Sequence, residues 1–159
     1  MKNILFVCTG NSCRSVMAEG FLRRMAEEAK LELEVSSAGV GAIDGYPATE
    51  ETVKTMKEYG IEMGVHRSRR LTREMAKEAD LIFVMETFHK NAVLKQWPDM
   101  ASKTFLLAEY AQTPMPWGKE IDIPDPIRMS SSFYQNVSRV IRDCVRGVAA
   151  KLGGPGLRK

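Results

Sequence analysis

Two short apolar runs, Ile4-Leu5-Phe6-Val7 and the one within the stretch Asp80–Met85, restrict the fold of this 159-residue chain more than any other feature. Neither alternates apolar with polar residues, as a half-exposed strand would. Each therefore reads as a strand covered on both faces. Such strands need helices on either side, and the intervening sequence supplies them. Met17, Phe21, Met25 and Ala29 recur at helical spacing within Val16–Lys30. Residues 47–59 place Val53 and Met56 inward, Thr72 opens a capped helix in the stretch 71–79, and 86–96 and 131–152 are further helical segments. Val35–Gly39 and Lys103–Leu107 complete the strands, whereas 113–129 carries too much proline to be regular. Alternating strands and helices predict an α/β fold with a parallel sheet, whose sites lie at the carboxyl ends of the strands.

Composition sets the frame. A hydrophobic content of 44% over this length is enough for one globular domain without disulfide or metal staples, expected over 1–152, with 153–159 as a flexible tail. Three cysteines, Cys8, Cys13 and Cys144, are too few and too unevenly placed for a disulfide framework and fit a reducing compartment. No cleavable leader and no membrane span is visible, so the expected location is the cytoplasm. The net charge of +3 suits an anionic substrate. The basic stretch from His66 to Arg70 reads as a solvated loop or a guide for acidic substrate flanks, and nucleic acid is not an expected partner.

The first strand runs into Cys8-Thr9-Gly10-Asn11-Ser12-Cys13-Arg14-Ser15, and a helical pattern follows at once. A loop of small residues can curl so that successive backbone N–H groups converge on one centre, and the helix start adds its partial positive charge. That makes a cradle for a tetrahedral oxyanion. Arg14 adds a planar fork of donors that grips two oxygens, which a lysine cannot do. Cys8 at the floor of the cradle is a nucleophile aimed at phosphorus. The Gly-Lys-Ser/Thr ending of a nucleotide-binding loop is absent.

These residues resemble the phosphate-binding loop of the low-molecular-weight protein tyrosine phosphatases, including the cysteine pair Cys8 and Cys13. The likeness extends along nearly the whole chain, through Ser36-Ser37-Ala38-Gly39, residues 60–63 and 66–72, Ala79–Met85 and Asp125-Pro126-Ile127. It implies a four-stranded parallel, Rossmann-like sheet flanked by helices on both faces, a phosphocysteine intermediate, no metal and no cofactor. It also implies a phosphorylated protein as substrate, inorganic phosphate or vanadate as ligands, and a monomer. Matched position by position, Cys8 is the nucleophile, Arg14 the phosphate-gripping arginine and Asp125 the general acid. Ser15 hydrogen-bonds the thiolate, Asn11 with Ser37 and His66 holds the loop in shape, and Cys13 traps an oxidised nucleophile as a disulfide. The chemistry is consistent with these roles, because a leaving oxygen needs a proton that Cys8 cannot give. Asp125, stiffened by Pro124 and Pro126, is the candidate donor and Asp122 its nearest competitor.

Departures from the family pattern concern the substrate. Val16 stands where many relatives have a helix-starting proline. Ile127 and Arg128 stand where tyrosine-specific members carry aromatic residues, leaving Tyr46 as one candidate wall. Ser12 stands where tyrosine-specific members often have a bulky aliphatic and phosphoarginine-specific ones a small hydroxylated residue. Phosphotyrosine hydrolysis is the leading reading, phosphoarginine hydrolysis the alternative. Arsenate reduction is a third, less favoured because the segment after the third strand, 85–93, contains no cysteine.

Overall fold

A computed structural model describes residues 1–118 and 120–153. The expected tail, except Gly153, lies outside the described residues. Four strands, β1 (Lys2–Cys8), β2 (Leu33–Gly39), β3 (Leu81–Val84) and β4 (Thr104–Leu106), form one parallel sheet in the order β2-β1-β3-β4. Among the described residues six α-helices connect and follow them: α1 (Arg14–Ala29), α2 (Glu50–Glu58), α3 (Arg73–Glu78), α4 (Thr87–Gln96), α5 (Leu107–Ala111) and α6 (Ser131–Lys151). The order reverses between β1 and β2 on one side and β3 on the other. That switch point opens a crevice at the carboxyl end of β1.

The unbroken apolar runs follow from this topology. Side chains along a strand point alternately to opposite faces. Ile4, Phe6 and Cys8 enter the core beneath α1 and α6, while Leu5 and Val7 enter the one on the α3 and α4 side. On β3, Phe83 joins the first core and Ile82 and Val84 the second. Burying one such side chain stabilises the fold by about 1.5–3 kcal/mol. A polar residue at either parity would cost stability, and neither run contains one.

Helix boundaries follow their caps. Thr72 caps α3 by accepting from the Met75 N–H, as the sequence predicts. The expected helix over 47–59 starts later, at Glu50, because the Thr49 side chain accepts from the Thr52 N–H and marks the turn into the helix. The expected strand over 103–107 is shorter, since Leu107 begins α5, and a 3₁₀ turn over Pro98–Lys103 precedes it. No described helix is long and apolar enough to cross a membrane.

Candidate active site

The loop from Cys8 to Ser15 fills the crevice at the end of β1. Its turn depends on Asn11, which lies in the left-handed region at φ 53° and is fully buried. Asparagine tolerates that conformation because its short amide bonds locally. Here the amide Nδ2 donates to Ser15 Oγ and to Ser37 Oγ, both at 2.9 Å. Its Oδ1 accepts from the Arg69 N–H at 2.9 Å, and its backbone carbonyl accepts from His66 Nε2 at 2.9 Å. Ser37 directs its own proton to Glu19, which in turn pairs with Arg23 at 2.7 Å. The sequence-derived group Asn11, Ser15, Ser37 and His66 is thus brought together in space, with Glu19 as a member the sequence did not reveal.

Proton counting then fixes the direction of the next bond. Ser15 Oγ accepts from Asn11, so its single proton is available to Cys8 Sγ, 2.9 Å away. Ser15 therefore donates to the sulfur, and Asn11 fixes that direction. Cys8 is buried, as are Cys13 and Cys144, and all three are free cysteines. Cys13 turns toward Tyr134 Oη at 3.2 Å and Thr49 Oγ1 at 3.5 Å. Burial and then the Cys13 contact push the Tyr134 hydroxyl up to about 12. Gly10 is exposed at the loop's tip, and the Ser12 carbonyl accepts from the Thr49 N–H at 3.1 Å.

Arg14 is only 2% exposed, so its charge needs partners inside the protein. Its Nη1 ion-pairs with Glu86 and donates to the Ile123 carbonyl at 2.8 Å. Its Nη2 lies 3.6 Å from Asp125 Oδ2. Asp125 keeps its other oxygen on the Ile127 N–H at 3.0 Å and remains open to solvent at the rim. Asp122 is engaged elsewhere, with Oδ1 accepting from both the N–H and the hydroxyl of Thr87 at 2.9 Å at the start of α4. The geometry therefore separates the two acids: Asp125 faces the arginine and Asp122 holds a helix end.

Two further site residues escaped sequence reasoning. Glu86 lies two residues past the end of β3, at the cap of α4, and His89 lies in the first turn of α4. His89 Nδ1 accepts from the Glu86 N–H at 3.0 Å, and its Nε2 lies 2.9 Å from Thr9 Oγ1. Burial, and secondarily the Arg14 charge, hold the imidazole down at about 3, so it is neutral. The usable signal was position: an acid at the carboxyl end of a buried strand stands where parallel sheets place their sites. Tyr46 is 61% exposed, consistent with a rim position rather than the core. Among the described residues no group of three or more His, Cys, Asp or Glu side chains is placed to hold a metal ion.

Gly39 explains how β2 can pass so close beneath the loop. A Cβ there would stand 2.4 Å from the Thr9 carbonyl oxygen and 2.9 Å from the Asn11 nitrogen, both backbone atoms that cannot step aside cheaply. Gly39→Ala is expected to cost about 1–3 kcal/mol of stability by overpacking and to weaken phosphate binding as the loop shifts. Urea unfolding together with phosphate titration checks both effects; an unchanged affinity would mean that the loop does not rest on this contact.

Residues 3–155 match the family model described as low molecular weight phosphotyrosine protein phosphatase. The low molecular weight protein-tyrosine-phosphatase Ptp of Acinetobacter johnsonii is 38% identical over 144 residues, covering 91% of this chain and 93% of that protein. The protein-arginine-phosphatase of Bacillus subtilis is 35% identical over 150 residues, covering 94% and 96%. A solved structure of a Cys-to-Ser mutant of the arginine phosphatase YwlE, with the active-site serine phosphorylated, superposes with a TM-score of 0.88 at 34% identity, covering 98% of this chain and 99% of that one. The tyrosine phosphatase Wzb of Escherichia coli K30, in complex with sulphate, gives a TM-score of 0.83 at 32% identity, covering 96% and 99%. Sequence match, fold and loop geometry agree, and the chain belongs to the low molecular weight phosphotyrosine protein phosphatase family.

Proposed function

We propose that this chain is a cytoplasmic protein phosphatase that hydrolyses phosphotyrosine without a metal ion, through a phosphocysteine intermediate. The observation that carries the reading is the joint placement of Cys8 Sγ on the Ser15 hydroxyl and of Arg14 between Glu86, the Ile123 carbonyl and Asp125. In the first step Cys8 Sγ attacks phosphorus, while the loop N–H groups from Thr9 to Ser15 and the Arg14 fork hold the equatorial oxygens. The S–P bond forms as the P–O bond to the leaving group breaks, and Asp125 gives its proton to that oxygen. In the second step Asp125 takes a proton from water, the water oxygen attacks phosphorus, and inorganic phosphate leaves as the Cys8 anion returns. The YwlE structure with a phosphorylated active-site serine supports a covalent phosphoenzyme on this fold.

Phosphoarginine is the second reading, supported by two observations. Ser12 offers a small hydroxylated side chain beside the cradle, and Ile127 and Arg128 replace the aromatic residues expected after Asp125-Pro126. The arginine-phosphatase relative fits the same reading. Arsenate reduction is disfavoured by Cys144, the one cysteine outside the loop. It is fully buried on α6, and burial raises its thiol to about 11, opposite to what a resolving thiol needs. Reversible inactivation by a Cys8–Cys13 disulfide belongs to the proposal too, with peroxide as the oxidant and a thiol as the reductant.

Rates on matched phosphotyrosine, phosphoserine and phosphoarginine peptides test the assignment. Phosphotyrosine is expected to be fastest and phosphoserine slowest. A phosphoarginine rate above the phosphotyrosine rate would reverse the substrate order. In the same assay Ser12→Ile is expected to shift preference toward the aryl phosphate by about tenfold, because a bulky aliphatic fills space above the cradle. Equal response of both substrates would show that Ser12 does not read them.

A further inference from the structure

The position of the His89 ring fixes a proton that the loop itself leaves undetermined. A backbone N–H can only donate, so His89 Nδ1, which takes the Glu86 N–H, carries no proton. The neutral ring then has its proton on Nε2, directed at Thr9 Oγ1. Thr9 Oγ1 therefore accepts from His89, and its own hydroxyl proton must point elsewhere. Among the described residues that proton has no other hydrogen-bond partner, although Thr9 is half-buried and sits directly after the nucleophile. The same imidazole grips the backbone of Glu86, whose carboxylate holds Arg14.

We propose that His89 is a positioning residue that acts through Thr9, fixing the Thr9 hydroxyl as a donor to the oxyanion in the loop and tying it to the Glu86–Arg14 pair. The loop then grips its anion with a side-chain hydroxyl as well as with backbone N–H groups and the arginine. This donor is set by a residue eighty positions away in the chain. Losing either end of the Thr9–His89 bond should remove the same increment of binding, because an undirected hydroxyl turns to solvent. A hydrogen bond to a charged group corresponds to about a tenfold or larger change in affinity.

The inference rests on the phosphatase reading, and inorganic phosphate affinity tests it without turnover. Thr9→Val is expected to weaken phosphate binding about tenfold while Thr9→Ser stays near wild type. His89→Phe, which keeps the ring and removes both hydrogen bonds, is expected to weaken binding at least as much as Thr9→Val, and His89→Gln to recover part of the loss. The decisive result is the double variant Thr9→Val with His89→Phe, expected to bind no more weakly than the worse single variant. Independent, multiplying losses would overturn the proposal, as would a silent Thr9→Val. If His89→Phe does not fold, the Thr9→Val and Thr9→Ser pair decides, and equal affinities for the two overturn it. These outcomes are separate from the failure of the phosphatase reading, which would appear as turnover that survives loss of Cys8.

Discussion

Cys8→Ser is expected to lower turnover by roughly 10⁴-fold or more while leaving inorganic phosphate affinity close to wild type. Both halves follow from the loop. The serine oxygen occupies nearly the same place on Ser15 Oγ, 2.9 Å from the native sulfur, so the cradle has no reason to move. Asn11, His66, Arg69 and Ser37 hold its shape, and Glu86 and the Ile123 carbonyl hold Arg14. What changes is the chemistry: a neutral hydroxyl attacks poorly, and a phosphate ester on oxygen does not let go as phosphocysteine does. Any attack that succeeds should leave a phosphoryl group on the substituted hydroxyl, seen by intact mass as a stalled adduct. Turnover near the wild-type rate would exclude Cys8 as the nucleophile, and lost phosphate affinity would mean that the sulfur shapes the loop.

Asp125→Asn should reduce the rate about 10²–10³-fold with a tyrosine-like leaving group and far less with a nitrophenol. The contrast isolates proton donation, because a nitrophenolate leaves without a proton whereas an alkyl-substituted phenolate does not. The amide keeps the Ile127 hydrogen bond at 3.0 Å, so the turn should survive. It loses the charge that faces Arg14 across 3.6 Å, a contact open to solvent and weak in consequence. Asp122→Asn gives the control. That carboxylate holds the start of α4, and its variant keeps the Oδ1 acceptor and loses only the charge, so it should lose less than about 1 kcal/mol of stability with no dependence on the leaving group. If Asp125→Asn slowed both substrates equally, Asp125 would be shaping the loop rather than giving a proton.

The parts of the molecule that were legible in the sequence are those whose causes are local. The runs at 4–7 and 81–84 announce strands buried on both faces, since each parity meets its own core. The loop announces itself because Cys8, Asn11, Arg14 and Ser15 lie within one turn of chain. Glu86 and His89 did not, because their partners Arg14 and Thr9 lie 72 and 80 positions away. Taken alone, an acid and an imidazole in a first helical turn look like a solvated helix start. Helix α5 was missed for a different reason, since five residues cannot display a helical period. Of the two candidate acids, Asp125 was already preferred over Asp122 for its flanking prolines, Pro124 and Pro126. The hydrogen-bond partners add what sequence could not, that Asp122 is held by Thr87 while Asp125 faces Arg14.

Ile123 gives the molecule a practical boundary. Its N–H donates to the Met85 carbonyl at 2.9 Å and its carbonyl accepts from Arg14, so the chain is clamped between the end of β3 and the start of α1, two residues ahead of Asp125. Length changes between Trp117, which packs against the core, and Asp122 end at that clamp, and an added loop residue costs little there. An insertion of the same size between Ile123 and Asp125 has nothing to absorb it and moves the carboxylate bodily. The connection before the clamp is therefore where this chain can accept a graft, an affinity tag or a reporter peptide and still present its carboxylate to the crevice.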